Sequence, residues 1–163
     1  EVPLDVQFQE IGTPEIYFGY VRINNIGNNT EGVSGDIPHI FKFPDERQPN
    51  LFYFDGAWAI AREFAEFVGD SGSVELQYKA NKVNMVLETA NSKEVIAEVK
   101  LDGEYLTESN KGKDIFFKGG KSLMKVQEPR LYNLVDTQNT YGVRTIQIIP
   151  TQPGFRAFTF TFG

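Results

Sequence analysis

From about Leu51 onward, apolar and polar residues alternate along the chain. Val74, Leu76 and Tyr78 alternate with Glu75, Gln77 and Lys79, and Val83, Met85 and Leu87 with Lys82, Asn84 and Glu88, Val86 being the exception. Successive side chains of an extended chain point to opposite faces, so each segment predicts a half-buried strand. Val95, Ala97, Val99 and Leu101 form the next, ending at the turn dipeptide Asp102-Gly103. Shorter runs follow in DIFF, KSLMKVQ, RLYNLV, VRTIQII and FRAFTFTF, and Gly119-Gly120 marks a hairpin turn. In the last run Phe158, Phe160 and Phe162 share a face, opposite Thr159 and Thr161. Three phenylalanines with no hydrogen-bonding group between them belong inside a fold, since outside they would leave a contiguous apolar patch. The segment GAWAIAREFAEFVG fits a helical stripe as well as a strand; its setting between strands assigns it to β.

The chain up to about Asn50 has a different texture. NNIGNNTEGVSGDIPH is rich in residues that favour turns and resist regular ladders, and reads as loop. Within this lead-in, TPEIYFGY carries a helix-start signature, with Thr13 as N-cap, Pro14 at the first helical position and Glu15 near the positive end of the dipole. One short helix is expected there. Many short strands separated by Gly and Asn turns, without alternating helices, predict an all-β domain, a β-sandwich of jelly-roll type spanning residues 1–163.

Composition narrows the chemistry. With 163 residues the chain can bury a core without disulfide or metal staples. It has no cysteine, which removes every thiol mechanism from this chain. A net charge of −6 with scattered lysines argues against a nucleic-acid surface. No apolar run approaches a membrane span, and EVPLDVQFQEIG lacks the layout of a signal peptide, so no direct membrane insertion is expected. A start at Glu1 leads us to expect a piece of a longer protein.

Catalytic candidates are few. His39 is the sole histidine, and no Gly-x-Ser-x-Gly elbow accompanies it. One histidine and no cysteine make a poor zinc site, and the plentiful carboxylates show no EF-hand spacing, so solvated acidic loops are the better reading than a calcium site. No catalytic residue, metal or cofactor is assigned.

Aromatic and polar strand residues carry the remaining interest. Trp58, the only tryptophan, reads first as a core plug and second as a sugar-stacking ring. In RLYNLVD both faces carry apolar residues, with Leu131, Asn133 and Val135 on one and Arg130, Tyr132 and Leu134 on the other. Such a strand is expected centrally or under a covering element, where Arg130 needs either an acidic partner or a ligand.

The motifs TPEIYFGYVR, DGAW, YKANKVNMVL, VKLDG, RLYNLVD and PGFRAFTFTFG occur in this order from about Gly12 to Gly163. Together they resemble the thioredoxin-like C-terminal domain family, the last module of DipZ-type thiol–disulfide proteins. The resemblance implies a jelly roll like carbohydrate-binding modules, an upstream thioredoxin-like domain bearing the redox cysteines, and an extracytoplasmic location. Two places depart from the family pattern: Asp136 stands where relatives often carry a more basic residue, and TESNKGKD, up to Asp114, replaces a His- and Gly-rich stretch. Recognition through that loop would have its own specificity here.

Two functions are compatible with this reading. One is a non-catalytic module that binds a cell-envelope glycan through Trp58, Asn84, Arg130 and Tyr132 and places its thioredoxin partner near substrates. The other is a structural or protein-interaction domain that packs on the thioredoxin part or dimerises, with no small ligand.

Overall fold

The structure, a computed structural model, describes residues 11–28 and 37–163. The expectations for the first residues and for the middle of NNIGNNTEGVSGDIPH lie outside the described residues. Among the described residues thirteen strands, all paired antiparallel, form one continuous hydrogen-bonded sheet folded into two facing layers.

The lead-in contributes β1 (Ile16–Tyr17) and β2 (Pro38–Phe41). The expected helix at TPEIYFGY is absent, because its residues have better partners elsewhere: Ile16 and Tyr17 pair with Phe160 and Thr159. Thr13 caps nothing. Its Oγ1 donates to Asn50 Oδ1 at 2.6 Å and accepts from the Lys79 amide at 2.8 Å, tying the lead-in to the body.

β3 (Phe52–Ile60) belongs to both layers. Its first half pairs with β5 (Ser73–Ala80) in the back layer, and its second half pairs with β2 and β4 (Ala65–Phe67) in the front layer. The crossing point is Gly56, with φ of +88° and no room for a side chain, since a Cβ would come within 2.4 Å of the Ser71 carbonyl oxygen. GAWAIAREFAEFVG is therefore β as expected, but split into two strands by a turn at Arg62 and Glu63.

The back layer continues through β12 (Gly142–Pro150), β7 (Val95–Leu101), β10 (Lys121–Val126) and β9 (Ile115–Lys118), with β8 (Glu104–Tyr105) on β7. The front layer continues from β4 through β13 (Phe155–Phe162), β6 (Lys82–Thr89) and β11 (Arg130–Asp136). Both predicted two-residue turns form, at Asp102-Gly103 and Gly119-Gly120, and all four residues have positive φ, as tight hairpins require.

Between the layers lies a chain of aromatic rings. Phe18 contacts Phe52 and Phe160 at 4.5 and 5.3 Å, and Trp58 stacks on Phe54 at 4.5 Å and meets Phe67 at 5.3 Å. All six are fully buried.

Two β-bulges change which side chains reach this core. In β13 the register slips between Ala157 and Thr159, so Phe155, Ala157 and Phe160 point inward and Phe162 packs at the core margin. Phe158, expected inside with Phe160 and Phe162, turns to the outer surface and meets Phe64 at 5.2 Å. In β11 the slip lies between Asn133 and Val135, which turns Leu134 and Val135 both inward and leaves Leu131 half exposed. β11 is thus not central: it is the margin of the front layer. Its free edge is covered by residues 107–114, through bonds from Gly112 N to Leu134 O, Asp114 N to Asn133 O and Asp136 N to Asn110 O. The two-sided apolar character of RLYNLV reflects a bulge plus a covering loop.

Candidate functional site

The outward face of β11 and β6 and the loop at residues 107–114 enclose an open groove of about 510 Å³. Its floor is Leu131, Asn133 and Asn84; Lys111, Lys113 and Glu108 come from the loop, and Lys82 and Asp136 from the strand ends. Asn133 and Asn84 face each other across the strands, as do Asp136 and Lys82.

The amide network fixes what this floor offers. Asn133 Oδ1 accepts from the Lys113 amide at 2.8 Å, and its Nδ2 donates to Val135 O at 3.3 Å, so the orientation of Asn133 is determined by the backbone. That Nδ2 also donates to Asn84 Oδ1 at 2.9 Å. The Asn84 amide nitrogen is then turned away and donates to no described group. Lys82, Lys111 and Lys113 likewise make no ion pair among the described residues. Leu131, half exposed, supplies an apolar surface beside these donors.

Arg130 holds the wall of the groove. Its Nη2 donates to Asp114 Oδ1 at 2.9 Å, Nε to Glu128 Oε1 at 3.2 Å and Nη1 to the Leu131 carbonyl at 3.0 Å. Its guanidinium carbon lies 3.8 Å from the centroid of the Tyr132 ring. Asp114 uses its second oxygen to accept from the Asn133 amide at 2.7 Å. Burial opposes ionisation of Asp114, but the bonds from Arg130 and Asn133 and the nearby guanidinium outweigh it and hold the carboxyl below its ordinary range. Arg130 therefore has the acidic partner that its position demanded, and it acts on the groove through Asp114 and the loop. The loop can approach so closely only because residue 112 is glycine: a Cβ there would stand 2.3 Å from the Asn133 carbonyl oxygen.

The four residues singled out in the sequence separate. Asn84 lies on the groove floor and Arg130 behind its wall. Trp58 is fully buried with its indole Nε1 donating to Asp55 O at 2.9 Å, so it presents no ring to a ligand. Tyr132 is also buried; its hydroxyl donates to Glu128 O at 2.7 Å and accepts from the Gln127 amide at 3.2 Å. Both leave the set because inward positions on β3 and β11 face the core. Leu131, Asn133, Lys111 and Lys113 were not singled out. The signal for the lysines was present, since they sit in the TESNKGKD stretch that departs from the family pattern; Asn133 needed the pairing of β11 with β6, which sequence periodicity does not reveal.

A second depression, of about 290 Å³, lies on the same outer face over β3, β4 and β13, lined by Pro38, Ala59, Ala61, Phe64, Glu66 and Arg156 among others. Arg156 donates from Nε to Glu66 Oε1 at 2.8 Å and from Nη1 to Glu88 Oε2 at 3.0 Å, with its guanidinium carbon 4.5 Å from the Phe64 centroid. The space between the two carboxylates, where a glycosidase would place the scissile bond, is occupied by this guanidinium. Among the described residues no group of three or more His, Cys, Asp or Glu side chains is positioned to hold a metal, and no helix is long and apolar enough to cross a membrane.

The family model described as thioredoxin-like C-terminal domain matches residues 13–163, almost the whole chain. The chain belongs to that family. Membership marks it as an accessory domain of a thiol–disulfide protein, and its lack of cysteine leaves the thiol chemistry of such a protein to other residues. No match was found among curated proteins.

Proposed function

We propose that this thioredoxin-like C-terminal domain is a non-catalytic glycan-binding module, which holds an attached thioredoxin-type domain beside a polysaccharide of the cell envelope, outside the cytoplasm. The observation that carries this reading is the groove over β6 and β11. It combines an unused amide donor on Asn84, an exposed apolar surface on Leu131 and three lysines without ion partners among the described residues, the mixture that a sugar with apolar ring faces and polar edges requires. Nothing in the groove resembles a nucleophile with a base, so binding is its natural use.

Calorimetry with a panel of neutral and acidic envelope-type polysaccharides tests the reading. Binding to at least one, weakened about tenfold by Asn84→Ala through loss of a hydrogen bond to ligand, supports it. No binding across the panel overturns it.

One observation favours a second reading, in which the domain packs on its thioredoxin partner. β2 forms the other margin of the front layer and carries Ile40, 76% exposed, next to Ile37, 58% exposed. Slower amide exchange along β2 in the joined protein than in this domain alone would support that contact, and it is compatible with a glycan in the groove.

A further inference from the structure

The outward residues of the front layer line up across its strands. Asn133, Asn84 and Thr161 are register neighbours on β11, β6 and β13, and Leu131, Val86 and Thr159 form the next row. Glu88, Arg156, Glu66 and Ala59 form a third, running from β6 to β3. The groove occupies one end of this surface and the second depression the other. Leu131 and Ala59 lie on the first and last of five neighbouring strands, so with four spacings of ~4.8 Å the two are roughly 19 Å apart across the sheet.

The second depression has the features of a sugar subsite. Phe64 and Phe158 are half buried and form a ring pair on the outer face. Phe158 is there because of the bulge in β13, which spends a phenylalanine outside when the regular alternation would have kept it inside. Ala59 and Ala61 keep the floor low beside the rings. Arg156 uses Nε and Nη1 on its two carboxylates, which fixes its plane, and its Nη2 donates to no described group. The tilted Phe64–Phe158 pair, with the immobilised guanidinium over the Phe64 ring and its Nη2 still available, offers apolar surface and a planar donor to a pyranose ring with vicinal hydroxyls.

Resting on the glycan reading, we infer that the ligand is a linear polysaccharide laid across the strands of the front layer, bound in the groove at one end and on Phe64 and Arg156 at the other. Its chemistry is that of an extended chain of several pyranose units. A single sugar or a disaccharide fills only one of the two depressions.

The test is calorimetry with oligosaccharides of two and six units from three series: β-1,4-linked N-acetylglucosamine, β-1,4-linked glucose and α-1,4-linked galacturonate. In the series that binds, the six-unit chain binds at least about tenfold more tightly than the two-unit chain. Phe64→Ala removes the ring surface and Ala59→Trp fills the depression; in each the six-unit chain binds no more tightly than the two-unit chain, and thermal melting verifies that both variants are folded. Affinity independent of length but lost in Asn84→Ala overturns the inference and leaves the groove as the glycan site. A length gain that survives in both folded variants also overturns it. No binding at any length removes this inference together with the reading beneath it.

Discussion

The two faces of the front layer are made from the same strands and share almost no chemistry. Inward, β3, β4 and β13 present Trp58, Phe67, Phe155 and Phe160, all fully buried. Outward, the same strands present Ala59, Glu66, Arg156, Phe158 and Thr159, all partly exposed. In β13 the one-residue bulge between Ala157 and Thr159 decides which phenylalanine belongs to which side. The lesson is that aromatic content along a strand does not say which face of the layer each ring joins. The bulge does.

This contrast predicts unequal costs for equal chemistry. Phe160→Ala should cost about 3–5 kcal/mol of unfolding free energy, the range for a large aromatic removed from a packed core. Phe158→Ala, on the outer face, should cost about 1 kcal/mol or less. Chemical denaturation of the two variants measures both; equal losses would erase the distinction between the faces.

A smaller effect is expected at the margin, where the groove wall is held by charge. Arg130→Ala leaves Asp114 without its guanidinium and should cost about 1–2 kcal/mol, kept low because Arg130 is itself partly exposed to solvent. Exchange of the amides of Gly112 and Asp114, which bond to β11, should accelerate more than that of the core strands.

The same contact sets a pH dependence. The carboxyl of Asp114 is depressed in the folded state, so its contribution is fully present above the ordinary aspartate value, near about pH 4, and is lost as pH falls through the lower folded value. Loosening of residues 107–114 should therefore accompany acidification below about pH 4. Two-dimensional NMR would show it, and Arg130→Ala should move the transition to higher pH.

The smallest expected change in stability is at Asn84→Ala, within about 0.5 kcal/mol, since Asn84 sits on the outer face and the Asn133 amide retains its bond to Val135 O. A large loss of stability there would mean that the groove floor is structural, and the two faces would no longer divide the work.

Much of the fold was legible from alternation alone. Val74, Leu76 and Tyr78 and Val83, Met85 and Leu87 face the core as their period of two requires, and the Asp102-Gly103 and Gly119-Gly120 turns form where positive φ is cheapest. Departures arose where tertiary contacts overrode local preference. Thr13 and Pro14 favour a helix start, yet β13 offered Ile16 and Tyr17 a ladder. Bulges at Phe158 and Leu134 broke an alternation that periodicity assumes to be regular. Of the residues singled out in the sequence, Asn84 lies on the groove floor and Arg130 behind its wall, but the groove exists only because β6 lies beside β11 and Gly112 lets a distant loop close over the edge. Strand order is a non-local property, and no window of sequence contains it.

The placement of β13 has a consequence for biosynthesis. It lies inside the front layer, with β6 on one side and β4 and β1 on the other, although it is made after all of them. A ribosome adding about 5–20 residues per second therefore exposes three strands with open edges, and an aromatic stack lacking Phe155 and Phe160, until β13 emerges. The front layer cannot close before β13 has emerged. A nascent chain of this domain should remain a client of holding chaperones until β13 is released, and a stop codon that removes this strand would leave an aggregation-prone polypeptide in place of a shortened domain.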